Sequence, residues 1–305
     1  MRATPQPTIV HHMAALDVPA GPPNSLAAIG ACLDREAAVV EVDITALADH
    51  DFLLVHDDVL ETETDGHGPV KACTASVARH LRIRHKGRVL AHPVPLLSDI
   101  VVAWLESGAT TRLQLDFKSV DPALDDAVLE QLADLVAPLG QRVIVSSGAD
   151  WHLRRLRQIA PQLALGFDPM WYIDWAPAES IRDPRTFPKL RGAYGYFDAH
   201  LLASERRTDV ARYLRQRCEG LLRLVPGVRT FYIDHELLAQ SLRDGFNWAA
   251  ALHTEGVQLD AWTLDVTNPR ASSHALLLRE AGVDLFTSNT PDALAGRLAA
   301  STHQP

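Results

Sequence analysis

The chain has 305 residues, 47% of them hydrophobic and 22% charged, with a formal net charge of -9 and a pI near 5.8. That is ordinary globular composition, at a length usual for one α/β barrel. An acidic chain without a Lys/Arg-dense run argues against nucleic acid as the main partner. The absence of an apolar stretch of roughly 18 residues argues against a transmembrane helix. Cys32, Cys73 and Cys218 lie far apart with no CxxC, so three reduced thiols are expected rather than a disulfide framework or a zinc site. The first residues, MRATPQPTIV, hold no long apolar core of a signal peptide. A cytoplasmic location is expected, with secretion of a processed form left open.

Strand-like runs occupy residues 8–12, 38–44, 111–117, 142–146, 163–167, 229–234, 259–265 and 283–287. Amphipathic helical stretches separate many of them, at 25–35, 123–137, 151–159, 237–255 and 271–281. Alternating strand and helix signals indicate parallel β/α units, and eight such strands predict a (β/α)8 TIM barrel. One barrel domain is expected over residues 1–305. Residues 46–51 (ALADHD) leave no room for a helix before Phe52, which predicts a hairpin excursion after the second strand that returns at His56-Asp57. Residues 168–228, with Pro169, Pro177, Pro184, Pro188 and an aromatic cluster from Trp171 to Trp175, are expected to form a long loop region before the sixth strand.

Several apolar runs end in groups that are costly to bury without a partner: His11-His12, Glu41-Val-Asp43, His56-Asp57 and Asp116-Phe-Lys118. Alternate strand residues share a face, so Glu41 pairs with Asp43 and Asp116 with Lys118. At the C-terminal rim of a barrel, where barrel enzymes work, three carboxylates and a lysine would meet. An all-oxygen ligand set suits one divalent cation, Mg²⁺ or Ca²⁺. Such a cation also reverses the local field of an acidic chain, so a small phosphorylated substrate is compatible with the charge. Imidazole carries protons near neutral pH, which makes His56 a candidate acid or base. His11 and His12 point to opposite faces, so only one of them can face the barrel interior. Trp262 is a candidate wall of the substrate pocket or a core residue.

The order of these motifs resembles the glycerophosphodiester phosphodiesterase family. Beyond the residues above, Pro22-Pro23-Asn24-Ser25-Leu26, Trp262-Thr263 and Gly282-Val-Asp284 carry the likeness, which runs through most of the chain. It implies a TIM barrel holding one divalent cation on Glu41, Asp43 and Asp116. It also implies two catalytic histidines, His56 and either His11 or His12, with Lys118 near the phosphate. In that chemistry one histidine is the base and the other protonates the leaving alcohol, and a neighbouring hydroxyl of the substrate can attack first to give a cyclic phosphate. The chain departs from the family pattern at His11-His12-Met13, where His-Arg-Gly is usual, and at Thr62-Glu63-Thr64, where Arg-Thr-Thr is usual. His12-Met13, Asp116-Phe-Lys118 and Thr287-Ser288-Asn289 look instead like the sphingomyelinase D-type phospholipases of the same superfamily, whose reaction releases a head group and leaves a cyclic phosphate. That likeness favours His12 over His11 as the catalytic histidine. The substrate expected is a small phosphodiester, a glycerophosphodiester or a lysophospholipid, and a non-catalytic barrel that binds a phosphorylated ligand is the remaining alternative.

Overall fold

The computed structural model describes residues 6–175, 194 and 209–301. The chain is an α/β protein with the (β/α)8 TIM-barrel fold. Its strands run in the order expected: β1 (Thr8–His11), β2 (Val39–Ala46), β3 (Phe52–Leu53), β4 (Arg82–His85), β5 (Arg88–Pro93), β6 (Arg112–Phe117), β7 (Val143–Ser147), β8 (Ala164–Phe167), β9 (Thr230–Asp234), β10 (Gln258–Trp262) and β11 (Leu285–Ser288). The eight barrel strands are β1, β2 and β6 to β11; β3 to β5 belong to the excursion after the second strand. The chain gathers into two compact units, one comprising Ile9–Gly166 with Ser288–Asp292, the other chiefly Phe167–Thr287.

In the first unit, β2 is a run of β-branched residues, Val39, Val40, Val42, Ile44 and Thr45, and every residue of it is buried. It pairs in parallel with β1, placing His11 opposite Val40, and with β6, placing Asp43 opposite Asp116. β6 continues the ladder to β7, with Asp116 opposite Ser146. The helices α1 (Leu26–Asp34) and α5 (Asp126–Val136) start where side-chain caps are available: Ser25 accepts from the Ala28 amide and Asp125 from the Ala127 amide. α4 (Leu97–Ser107) was not among the expected helices. It buries Leu97, Ile100, Val101 and Trp104, a helical spacing that starts directly after the Pro93-Val94-Pro95 segment. α6 (Asp150–Ile159) matches the expected helix before β8.

The excursion after β2 forms as the sequence predicts, with β3 antiparallel to β2 and Leu53 opposite Thr45. It is larger than a hairpin. Two single-turn helices, α2 (Leu60–Glu63) and α3 (Ala75–Ala78), and the β4–β5 hairpin follow. Leu47, Leu53, Val55, Leu60, Val70, Leu81, Ile83 and Leu96 pack there as a satellite core, which holds the segment carrying His56.

In the second unit, β9, β10 and β11 pair in parallel, with Asp260 opposite both Tyr232 and Leu285. The segment read as a long loop region ends in a helix, α7 (Val210–Leu224), which buries Tyr213, Leu214, Cys218 and Leu221 along one stripe. Its prolines Pro177, Pro184 and Pro188 lie outside the described residues. Residues 237–255 form two helices rather than one, α8 (His235–Arg243) and α9 (Trp248–His253). Gly245 breaks them apart at φ 85°, a left-handed conformation that glycine takes without steric cost. α10 (Pro269–Glu280) and α11 (Pro291–Ser301) complete the order. No helix among the described residues is long and apolar enough to cross a membrane.

Asp260 lies fully buried in β10, where its carboxylate accepts from the Thr287 hydroxyl, at 2.9 and 3.0 Å. Burial pushes its pKa up to about 7. The folded chain therefore keeps a proton that the unfolded chain gives up near pH 4. Between those values the folded state binds more protons, so this group's contribution to stability falls as pH rises from about 4 to 7 and is flat above. Asp260→Asn is expected to remove that slope and to gain on the order of a few kcal/mol over wild type at pH 8, read by urea unfolding at pH 5 and pH 8.

Candidate active site

The parallel register of β2 and β6 brings the acidic motifs together. Glu41, Asp43 and Asp116 each offer an oxygen within 4.8 Å of those of the other two. Glu41 and Asp43 are 3% and 1% exposed, so neither carboxylate can rely on water. Lys118 reaches back along its own strand: its Nζ donates to Asp116 Oδ2 at 2.6 Å and lies 3.1 Å from Asp43 Oδ1. Burial works to depress the Lys118 ammonium, and the facing carboxylates of Asp116, Asp43 and Glu41 outweigh it and hold the pKa above its ordinary value. Burial also drives the Glu41 carboxyl well above the carboxylate range, and the charges of Asp43 and Asp116 push it further. One ammonium faces three carboxyl groups, which leaves the cluster short of positive charge.

The chain after β1 turns sharply to join this cluster. Met13 and Ala14 take φ 51° and 58° in a 3-10 turn spanning His12–Ala14, and the Met13 amide donates to Glu41 Oε2 at 2.8 Å. The two histidines part there. His12 Nε2 stands 3.9 Å from Glu41 Oε2, while its Nδ1 donates to Asn289 Oδ1 at 2.8 Å. That bond fixes the proton on Nδ1 and leaves the Nε2 lone pair facing the carboxylates. His11 is buried on the other side of the turn, where its Nδ1 donates to the Ala15 carbonyl at 2.8 Å and lies 3.8 Å from Cys32 Sγ. Burial lowers its pKa, keeping the ring neutral. The structure thus brings His12 to the cluster and sends His11 into the turn.

His56 follows the excursion's return, with its side chain 54% exposed and its Nδ1 donating to Asp57 Oδ1 at 2.9 Å. Nδ1 therefore holds the proton, and Nε2 is the atom open to a reacting group. The loop is held by Glu63, whose Oε2 accepts from the His56 amide at 2.7 Å and the Asp57 amide at 2.9 Å. Burial raises the Glu63 pKa, and those two amides act to lower it. Trp262 belongs to the other unit. There it lines a 160 Å³ pocket with Asp168, Met170, Asp174 and Asp234, and its buried indole N–H has no acceptor among the described residues.

Three residues with direct roles in this geometry lie outside the sequence-predicted set: Asn24, Glu63 and Asn289. Asn24 sits at φ 55°, a left-handed position that asparagine tolerates, and its Nδ2 donates to Asp43 Oδ2 at 3.2 Å. Its buried Oδ1 has no hydrogen-bond donor among the described residues. A buried amide oxygen without a donor, beside carboxylates short of positive charge, fits a divalent cation with oxygen ligands. The available signal was Asn24 directly after Pro22-Pro23 in the motif before α1.

The model of the glycerophosphoryl diester phosphodiesterase family matches residues 17–189, more than half of the chain, and the chain belongs to that family. A glycerophosphodiester phosphodiesterase of Caldanaerobacter subterraneus subsp. tengcongensis is 23% identical over 150 residues, which cover 48% of this chain. That match spans 60% of the relative's length. A glycerophosphodiester phosphodiesterase from Parabacteroides distasonis shares the fold at a TM-score of 0.67 with 15% identity, over 98% of this chain and 100% of that one. A phosphodiesterase of Oleispira antarctica, solved with the product sn-glycerol-3-phosphate, aligns at a TM-score of 0.64 with 17% identity, over 96% of this chain and 97% of that one.

Removing the Glu63 carboxylate leaves two backbone amides without their acceptor. Glu63→Ala is expected to lower stability by roughly 1–3 kcal/mol and to raise amide hydrogen exchange at His56 and Asp57, whereas Glu63→Gln keeps one carbonyl acceptor and loses less. Thermal unfolding and exchange mass spectrometry read both.

Proposed function

We propose that this chain is a divalent-metal-dependent phosphodiesterase that hydrolyses a glycerophosphodiester-type small molecule by histidine general acid–base catalysis. The observation that carries this reading is the convergence of Glu41, Asp43, Asp116 and Lys118, with His12 Nε2 at 3.9 Å from Glu41. Family membership and the phosphodiesterase bound to sn-glycerol-3-phosphate among the structural relatives support it. Glu41, Asp43 and Asp116, with the Asn24 amide oxygen, would hold one Mg²⁺ or Ca²⁺. When bound, the cation neutralises charge developing on the phosphoryl oxygens.

The chain's own groups divide the remaining work. Lys118 presents a fixed positive charge to a phosphoryl oxygen, and its two carboxylate partners hold the ammonium in place. His12 Nε2, with its proton fixed on Nδ1 by Asn289, takes a proton from the attacking hydroxyl. His56 Nε2, with Nδ1 held by Asp57, delivers a proton to the leaving alcohol once the imidazole is charged. Its exposure lets it recharge from solvent. His11 positions the turn through Ala15.

A second reading has its own support. His12 rather than His11 stands beside Glu41, Met13 follows it and Asn289 holds it, the arrangement that resembles the sphingomyelinase D type. On that reading the substrate's own hydroxyl is the nucleophile and a cyclic phosphate is the end product.

A screen of phosphodiesters with Mg²⁺, Ca²⁺ or EDTA tests the first reading. Turnover is expected with a divalent ion and not with EDTA, and His12→Ala or His56→Ala is expected to lower kcat roughly a hundred- to ten-thousand-fold while the fold remains. Full activity in folded His12→Ala and His56→Ala variants overturns the assignment of the proton carriers. Phosphorus NMR of the product separates the two readings: a monoester is expected from the first, and a cyclic phosphate that persists supports the second.

A further inference from the structure

The net charge of -9 conceals a segregation inside the unit that carries the acidic cluster. Residues 66–98, which make most of the excursion after β2, carry Lys71, Arg79, Arg82, Arg84, Lys86 and Arg88 and no carboxylate. The β4–β5 hairpin presents four of these cations. Lys86 and Gly87 turn it at φ 50° and 76°, the positive values of a tight two-residue turn, so Lys86 stands at its tip. Arg79 is answered by Asp99 at 3.0 Å and Lys71 by Asp121 at 3.3 Å. Arg82, Lys86 and Arg88 are exposed, and no carboxylate among the described residues pairs with them.

The opposite charge lies close by. Residues 119–141 hold Asp121, Asp125, Asp126, Glu130 and Asp134 and no lysine or arginine. Glu130 and Asp134 are four residues apart on α5 and exposed, so they share one outward face. α4 packs against α5, and the Arg79–Asp99 pair ties the excursion to the first turn of α4. On the outside of α4, Val102 and Leu105 are 53% and 43% exposed, and their spacing of three puts them on one face. A cationic hairpin and an anionic helix thus flank an apolar strip that nothing among the described residues covers.

We propose that this face is the contact between two copies of the chain, related by a two-fold axis, with Val102 and Leu105 at its centre. In a two-fold contact the same patch serves on both copies, so the hairpin of one meets α5 of the other and each charge pair occurs twice. Apolar groups at the centre and charged groups at the rim are the usual anatomy of a protein interface. An anionic lipid surface fits less well, because it would attract the hairpin and repel α5 beside it. The contact is independent of the phosphodiesterase chemistry.

Sedimentation velocity of the full chain reads the association. A dimer is expected at about 10–100 µM, with a Kd that rises roughly tenfold or more between about 0.05 and 0.5 M NaCl, because exposed charges are screened. The triple variant Arg82→Glu/Lys86→Glu/Arg88→Glu turns the hairpin acidic, and Glu130→Lys/Asp134→Lys turns the outward face of α5 basic. Each variant, once its urea midpoint is shown to match that of wild type, is expected to be monomeric alone. An equimolar mixture of the two is expected to dimerise, since both contacts are then complementary again. Val102→Glu is expected to weaken the wild-type dimer roughly tenfold or more at either salt concentration. A wild-type chain that stays monomeric, a dimer that survives both charge reversals or Val102→Glu, or a mixture that stays monomeric overturns the proposal. So does a monomer that sediments with phosphatidylserine vesicles, which assigns the hairpin to a membrane surface instead.

Discussion

The structure turns on a pair of carboxylates that have nowhere to go. Glu41 and Asp43 lie on a strand buried along its whole length, and the parallel register sets Asp116 directly opposite Asp43. Buried like charges repel strongly at low dielectric, and a single lysine offsets only part of that. The burden shows in Glu41, whose pKa is held well above the ordinary range by burial and its two neighbours. A chain that only had to fold would be better served by apolar residues at these positions. The cost makes sense if the cluster meets a cation and a substrate phosphate.

Much of the surrounding structure supports that cluster. The Met13 amide and Asn24 supply donors to Glu41 and Asp43, and both come from segments that bend back through left-handed residues. Met13 and Ala14 both sit at positive φ, so this chain bears a steric cost there that glycine would avoid. The two histidines proposed as proton carriers share one device. Each has Nδ1 donating to a side-chain oxygen, Asn289 for His12 and Asp57 for His56, which fixes the tautomer and presents Nε2. The satellite core of the excursion and the Glu63 carboxylate keep the His56 loop in place, which supports an exposed imidazole.

The parts of this account that were legible in the sequence share a physical origin. Strand alternation and β-branched runs locate β2 and β6 and put Glu41, Asp43, Asp116 and Lys118 on matching faces, because a period of two leaves little choice. The hairpin at residues 46–51 was legible because the spacing leaves no room for a helix. The contributions of Asn24, Glu63 and Asn289 were not, since each arrives from a loop or, for Glu63, a single-turn helix whose path depends on tertiary packing. The same holds for the choice between His11 and His12. Alternation says that they face apart, but the turn at Met13 decides which one meets Glu41. α4 and α7 were missed where proline and arginine residues obscured an apolar stripe that packing then supplied. Residues 237–255 kept a helical pattern across Gly245, whose left-handed backbone ends the first helix.

The carboxylate cluster is proposed to hold a divalent cation. Calorimetric titration of Mg²⁺ and Ca²⁺ into the metal-free chain, beside an Asp43→Asn/Asp116→Asn double variant shown to be folded, tests it directly. One ion bound per chain is expected in wild type, with loss of that binding in the variant. Failure of either ion to bind, or equal binding by the folded variant, would contradict it.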